Sequence, residues 1–276
     1  MLNRDRLIVA LDVSSATQAR QIVQSIGESA STYKIGKQLF TAEGPQVVRD
    51  LVSSGRKVFL DLKFHDIPNT VAGAVAEAAK LGVSMLTVHA SGGSKMLKTA
   101  ADAAAQSACK PLVLAVTVLT SLSDADLAEL GITGHVQTQV LRLGSLARNA
   151  GCGGLVASAL EARELRRELG NDFAIVTPGI RPCGIQGAPP LSPVFGDRVG
   201  QEPVGGPNSK GGPHLSAVGQ CGETRTTRPD DQARVLTPKE AIAAGATYLV
   251  VGRPILEAPD PAQAAAAIVS EIGEAL

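Results

Sequence analysis

The sequence has no tryptophan, no net charge, few cysteines and no long apolar run. Twenty-six Lys and Arg balance 26 Asp and Glu, and the pI is near 6.9. A neutral chain lacks the basic footprint that bulk nucleic-acid or anionic-membrane binding requires. A small anionic ligand held by a few local cations remains compatible with it. Mean hydropathy is only +0.13, and no stretch approaches the roughly 18 apolar residues of a membrane span. The first residues, Met1 to Arg6, run directly into a strand-like segment and carry no secretory signature. The four cysteines (Cys109, Cys152, Cys183, Cys221) form neither a C-x-x-C pair nor a staple pattern. A reduced, cytoplasmic setting is the expectation.

Present instead is a rhythm. Short Val/Ile/Leu-rich runs recur at 7–13, 33–35, 57–64, 85–90, 112–119, 154–159, 173–180 and 248–255. Their near-continuous apolarity suits parallel strands covered on both faces. Helical stretches separate them. Ser15 to Gln18 reads as a capping box for a helix ending at Gly27. Thr237-Pro238-Lys239-Glu240 repeats the device, with Gly245 at the stop, and Asp260 starts the last helix. Ser123 caps a helix that Gly131 ends. Eight strands alternating with helices predict an α/β fold, a (β/α)8 TIM barrel in a single domain, over an open doubly wound sheet. In a barrel the C-terminal strand ends form the active-site face. Those ends carry Asp12, Lys34, Asp61, Lys63, His89, Thr120, Arg181 and Arg253.

One segment breaks the rhythm. Residues 183–229 hold ten of the 29 Gly and seven of the 16 Pro, with no periodicity. A long structureless stretch is uncommon inside a compact domain. It reads as an insertion in the seventh βα loop.

The strongest chemical signal is Asp61-Leu62-Lys63-Phe64-His65-Asp66-Ile67-Pro68-Asn69-Thr70. Side chains alternate along a strand, so Asp61 and Lys63 share the inward face. Carboxylates flanking one ammonium favour its charged form. Lys63 therefore reads as a proton donor or electrostatic stabiliser rather than a Schiff-base nucleophile. An ordinary ion-pair network at a strand end is the plainer alternative. None of the four His has a partner at ligand spacing, so no metal site is expected. His89 reads as a structural residue.

The stretch resembles the signature of the orotidine 5'-phosphate decarboxylase family. Val9-Ala10-Leu11-Asp12, Lys34-Ile35-Gly36-Lys37, Val88-His89-Ala90-Ser91-Gly92-Gly93, Ala115 to Ser121, Thr177 to Pro182 and Val251 to Ile255 resemble its other strand motifs. The D-x-K-x-x-D core is shared with metal-dependent sugar-phosphate aldolases on the same barrel. The following I-P-N-T, with G-I-R-P and V-G-R-P, narrows the resemblance to the decarboxylases. It implies that Lys63 protonates C6 of the pyrimidine after CO2 leaves, and that Asp61 lies beside the substrate carboxylate. It further implies that Asp66 reaches into the partner subunit's site, with Ile67 and Thr70 close by. Asp12 and Lys34 would contact the ribose hydroxyls, and Thr120 would lie near the base. Arg181, Gln232, Gly252 and Arg253 would lie on the phosphate side. A homodimer converting orotidine 5'-phosphate to UMP without cofactor or metal follows. Two rivals stand beside it: a metal-dependent sugar-phosphate enzyme on the same barrel, and a silent nucleotide binder acting through the insertion.

Overall fold

A computed structural model of the chain describes residues 1–182 and 236–276. Gln232, Cys183, Cys221 and the insertion at 183–229 lie outside the described residues. Eight strands form the sheet: β1 (Leu7–Ala10), β2 (Thr32–Gly36), β3 (Lys57–Phe64), β4 (Met85–His89), β5 (Leu112–Val116), β6 (Gly154–Val156), β7 (Ala174–Thr177) and β8 (Tyr248–Val251). Each pairs in parallel with the next, and β8 returns to β1, so the sheet closes into a barrel. The barrel reading is borne out, and closure excludes the open sheet.

The period of two along each strand sorts the apolar residues into two cores. Ile8, Ala10, Phe59, Met85, Leu114, Val176 and Val250 fill the barrel. Val9, Tyr33, Leu60, Leu86, Leu155, Ile175 and Leu249 face outward and join the helices in a larger core. Continuing the inward rows toward the strand C-termini leads from Ala10 to Asp12, from Phe59 to Asp61, and from Met85 to Thr87 and His89. Register places Lys34 beside Ala10 and opposite Phe59. The barrel thus changes from apolar to charged along its own axis. The floor under the charges is apolar and buried.

The helix signals hold with one change. Thr237 and Glu240 form both arms of a capping box on Pro238–Ala243, and Asp260 accepts from the Gln263 N–H at the last helix. Ser123 and Asp126 do the same on Asp124–Glu129. Ser15 accepts from the Gln18 N–H, but no reciprocal arm comes from Gln18. Glu43 reaches across instead and takes the Ala16 N–H at 2.8 Å.

Several strands stop earlier than their apolar runs. β1 ends at Ala10, not Val13; β5 at Val116, not Leu119; β6 at Val156, not Ala159; β7 at Thr177, not Ile180. β8 ends at Val251, and Arg253–Leu256 turns into a short helix. Pro178 after Thr177 cannot donate to a ladder, and Pro254 suits a first helical turn. Beyond the last strand pairs the chain turns into the loops that carry the site. Ile180 still bridges Leu236 in parallel, and the Arg181 N–H donates to the Leu236 carbonyl at 3.0 Å. The two described ends flanking 183–235 are therefore held side by side. Among the described residues no helix is long and apolar enough to cross a membrane.

Candidate active site

Four charged side chains line up across β1, β2 and β3 at the mouth of the barrel. Asp12 Oδ1 accepts from Lys34 Nζ at 2.9 Å. Lys34 Nζ lies 3.9 Å from Asp61 Oδ2. Both oxygens of Asp61 accept from Lys63 Nζ at 2.8 Å. Charge alternates along the row, which offsets the cost of partly burying each member. Lys34 and Asp61 are the most sheltered, with side chains 12% and 14% exposed. Asp12 opens to solvent.

The Asp61–Lys63 contact arises differently from simple strand alternation. Between Leu60 and Phe64, β3 advances four residues while β4 advances two, from Leu86 to Val88. The excess forms a bulge, and bulges re-aim side chains. Lys63 sits in the left-handed region at φ +55°, a conformation disfavoured for residues with a Cβ. Its amide belongs to a residue that the β3–β4 register leaves unpaired. It donates instead to Thr87 Oγ1 at 2.9 Å, and the Thr87 hydroxyl donates to Asp61 Oδ1 at 2.9 Å.

Two glycines make room for the row. A Cβ on Gly36 would lie 3.1 Å from Lys34 Nζ and 3.5 Å from Asp12 Oδ1. A Cβ on Gly252 would lie 3.4 Å from Asp12 Oδ2, so the end of β8 abuts the charge row. Arg253 follows immediately and is exposed. Arg181 is half-buried beside the β7 end, anchored through its backbone to Leu236. Thr120 lies four residues past β5, in the loop rather than on the strand.

Asp66, Ile67 and Thr70 are exposed. Asp66 is not in the ion-pair row of its own chain. Its Oδ1 accepts from the Ile67 N–H at 2.6 Å, which turns the chain into the helix Pro68–Lys80. Ile67 is 68% exposed, and Leu119, Leu130 and Leu160 are further exposed apolar residues on βα loops. His89, half-buried at the β4 end, faces the His65 ring with centroids 5.3 Å apart. Burial holds its pKa below the ordinary value, helped by the nearby His65, Lys63 and Lys37 charges. Its surroundings therefore favour the neutral ring. Among the described residues no group of three His, Cys, Asp or Glu is placed to hold a metal ion.

Sequence reasoning missed Thr87 and Gly36. Thr87 carried a faint signal, as a polar residue at an inward β4 position. Gly36 stood inside a quoted motif, but only the neighbouring strand reveals what its missing side chain spares.

A family model described as the Orotidine 5'-phosphate decarboxylase / HUMPS family matches residues 5–219 and 208–268. The chain belongs to this family. Relatives named orotidine 5'-phosphate decarboxylase sharpen the placement within it. One from Idiomarina loihiensis is 45% identical over 269 residues, covering 98% of each chain. One from Heliobacterium modesticaldum is 43% identical, covering 99% of this chain and 98% of the relative. The crystal structure of orotidine 5'-phosphate decarboxylase from Lactobacillus acidophilus superposes with a TM-score of 0.74 at 35% identity, covering 97% of this chain and 99% of the other. Near-complete coverage in both directions means that these family members are of similar length.

Proposed function

We propose that this protein is an orotidine 5'-phosphate decarboxylase, which releases CO2 and forms UMP in pyrimidine biosynthesis. One observation carries the reading: an ammonium, Lys63 Nζ, is pinned at 2.8 Å by both oxygens of Asp61 at the charged mouth of a closed barrel. Loss of CO2 leaves an electron pair on C6 that the pyrimidine ring delocalises poorly. A preorganised ammonium stabilises that charge most in the transition state. The same group, within hydrogen-bond reach, then delivers a proton to C6. The carbon–carboxylate bond breaks, the C6–H bond forms, and Lys63 is left neutral until it regains a proton from solvent. No organic electron sink or metal enters this scheme. Asp61 has a double part: it holds Lys63, and its charge beside the substrate carboxylate is relieved as CO2 departs.

The remaining roles follow the order of the row. Asp12 and Lys34 meet the ribose hydroxyls. Thr120 contacts the base. Arg181, Gln232, Gly252 and Arg253 hold the phosphate, where Arg offers a fork of donors and Gly252 admits close backbone approach. Phosphate binding beyond the seventh and eighth strands is common in this fold. Phosphate lies far from the breaking bond, so its binding energy serves orientation.

In this reading the enzyme is a homodimer, and Asp66 completes the row of the partner's site beyond Lys63, with Ile67 and Thr70 beside it. Support comes from the exposure of Asp66 and Ile67 and from the exposed Leu119, Leu130 and Leu160 in the connections after β5 and β6. Residues 183–229 form an insertion in the seventh βα loop of a single-domain barrel. The pairing of Ile180 with Leu236 favours tolerance of its length, since loop-closure cost grows slowly.

Following the absorbance of orotidine 5'-phosphate with the unaltered enzyme and Lys63→Ala tests the assignment. Undiminished turnover in Lys63→Ala would refute the proton-donor role. Mixing Lys63→Ala with Asp66→Ala chains should restore one intact site per heterodimer. No recovery would count against the shared site. Activity that requires added Mg2+ and ignores orotidine 5'-phosphate would point to the sugar-phosphate alternative.

A further inference from the structure

We propose that Thr87 is a positioning residue for the decarboxylation, fixing both the backbone and the ammonium of Lys63. The inference rests on the function proposed above and adds a residue to it.

Thr87 stands in the middle of β4, on the inward row between Met85 and His89, and is fully buried. A hydroxyl there must find partners, because an unsatisfied buried polar group is costly. It finds two, and both belong to the candidate machinery. Its oxygen accepts the Lys63 N–H and its proton goes to Asp61 Oδ1, each at 2.9 Å. A hydroxyl has one donor and two acceptor positions, so the donor is spent wholly on Asp61.

The geometry gives this bridge a particular consequence. The bulge between Leu60 and Phe64 leaves Lys63 without a paired residue in the β3–β4 register. The residue then stays at φ +55°, a conformation that persists only where the surroundings over-determine it. Thr87 supplies the partner that the ladder no longer provides. At the other end, Asp61 holds Lys63 Nζ with both oxygens, and Thr87 sets the plane of that carboxylate through Oδ1. Lys63 is thus gripped at its amide and at its ammonium by one closed circuit: Thr87 hydroxyl, Asp61 carboxylate, Lys63 side chain, Lys63 amide. Thr is β-branched and stiff at χ1, so the hydroxyl is itself well aimed. A charge-stabilising group must be in place before the reaction rather than find its place during it.

Thr87→Val keeps the shape and removes the hydroxyl, Thr87→Ala is a second hydroxyl-free chain should the first fold poorly, and Thr87→Ser restores the hydroxyl. In the valine and alanine variants kcat for orotidine 5'-phosphate should fall about 10- to 100-fold, the scale of a slightly misplaced catalytic group. KM should stay within about twofold, and Thr87→Ser should recover most of kcat; a purely structural role predicts neither the split nor the rescue. Independently of turnover, the Lys63 amide should exchange with solvent more slowly in the unaltered chain and in Thr87→Ser than in the hydroxyl-free variants, read by NMR. Unchanged kcat in Thr87→Val, no rescue by serine, or equal Lys63 exchange in all chains would overturn the inference. Absence of turnover in the unaltered enzyme would instead sink the decarboxylase reading, and the exchange comparison would still judge Thr87.

Discussion

Asp61→Asn probes the row at its centre, because Asp61 is the one carboxylate between two ammonium groups. The replacement is isosteric, so packing is preserved and charge is not. Lys63 Nζ lies at 2.8 Å and Lys34 Nζ at 3.9 Å from Asp61. At an effective dielectric constant near 20 these pairs represent gross attractions of about 6 and about 4 kcal/mol. Desolvation cancels much of that, and removing one partner of a buried pair costs about 3–5 kcal/mol in all. Partial exposure of Lys63 lowers the expectation to about 2–3 kcal/mol of folding stability. The orientation of the new amide is also determined. The Thr87 hydroxyl donates to Oδ1, so the amide oxygen takes that place and the NH2 takes the place of Oδ2. That sets donor against donor toward Lys34 and in one of the two Lys63 contacts, so Lys63 keeps only the neutral oxygen in the Oδ1 place. Loss of about 3 kcal/mol of transition-state stabilisation corresponds to at least a 100-fold lower kcat. Steady-state decarboxylation and urea unfolding of the same preparation measure the two effects. A variant within threefold of the parent kcat would refute the idea that Asp61 holds the ammonium in its working position.

Other consequences are equally open to measurement. Gly36→Ala places a methyl 3.1 Å from Lys34 Nζ, so it should displace the ammonium from Asp12 and raise KM several-fold with little loss of stability; an unchanged KM would argue against a ribose role for this pair. His89 has its pKa held below 6.5 by burial first and by neighbouring positive charge second. The fold therefore prefers the neutral ring, and this contribution is complete above pH 6.5 and is lost as the pH falls through the lower folded-state value. Urea midpoints measured from pH 7 down to pH 5 should decline less steeply in His89→Asn than in the parent, and identical slopes would dismiss the linkage. Thr237→Ala removes one arm of the capping box on Pro238–Ala243, which should cost about 1 kcal/mol and lower Tm by about 2–4 °C; a larger fall would mean that the cap also holds the neighbouring β7–β8 connection.

Much of this protein is legible in one dimension because its determinants are local. Continuous apolar runs spaced by capped helices specify strands buried on both faces, and eight of them close a barrel. The charged motif from Asp61 to Asp66 is short, so its spacing survives in the fold. Local reading failed where the outcome depends on a neighbour. Strand ends moved inward because pairing, and not apolarity, decides where a ladder stops. The alternation argument brought Asp61 and Lys63 together for an incomplete reason: the contact comes from a bulge whose extra residues become visible only against β4. Asp66, which the family resemblance assigns to the partner subunit's site, stands exposed and outside the row of its own chain.

The residue order alone settles the fold class, the family motifs and the identity of the charged groups, since periodicity and side-chain chemistry are carried by adjacent positions. Register across the barrel settles the rest. It sets Lys34 between Asp12 and Asp61, leaves Gly36 bare beneath them, and hands the Lys63 amide to Thr87. Those relations join residues far apart in the chain, and only closure of the sheet brings them within hydrogen-bond distance. The neutral composition conceals them as well: equal numbers of cations and carboxylates say nothing of the alternating row that the barrel gathers at one end.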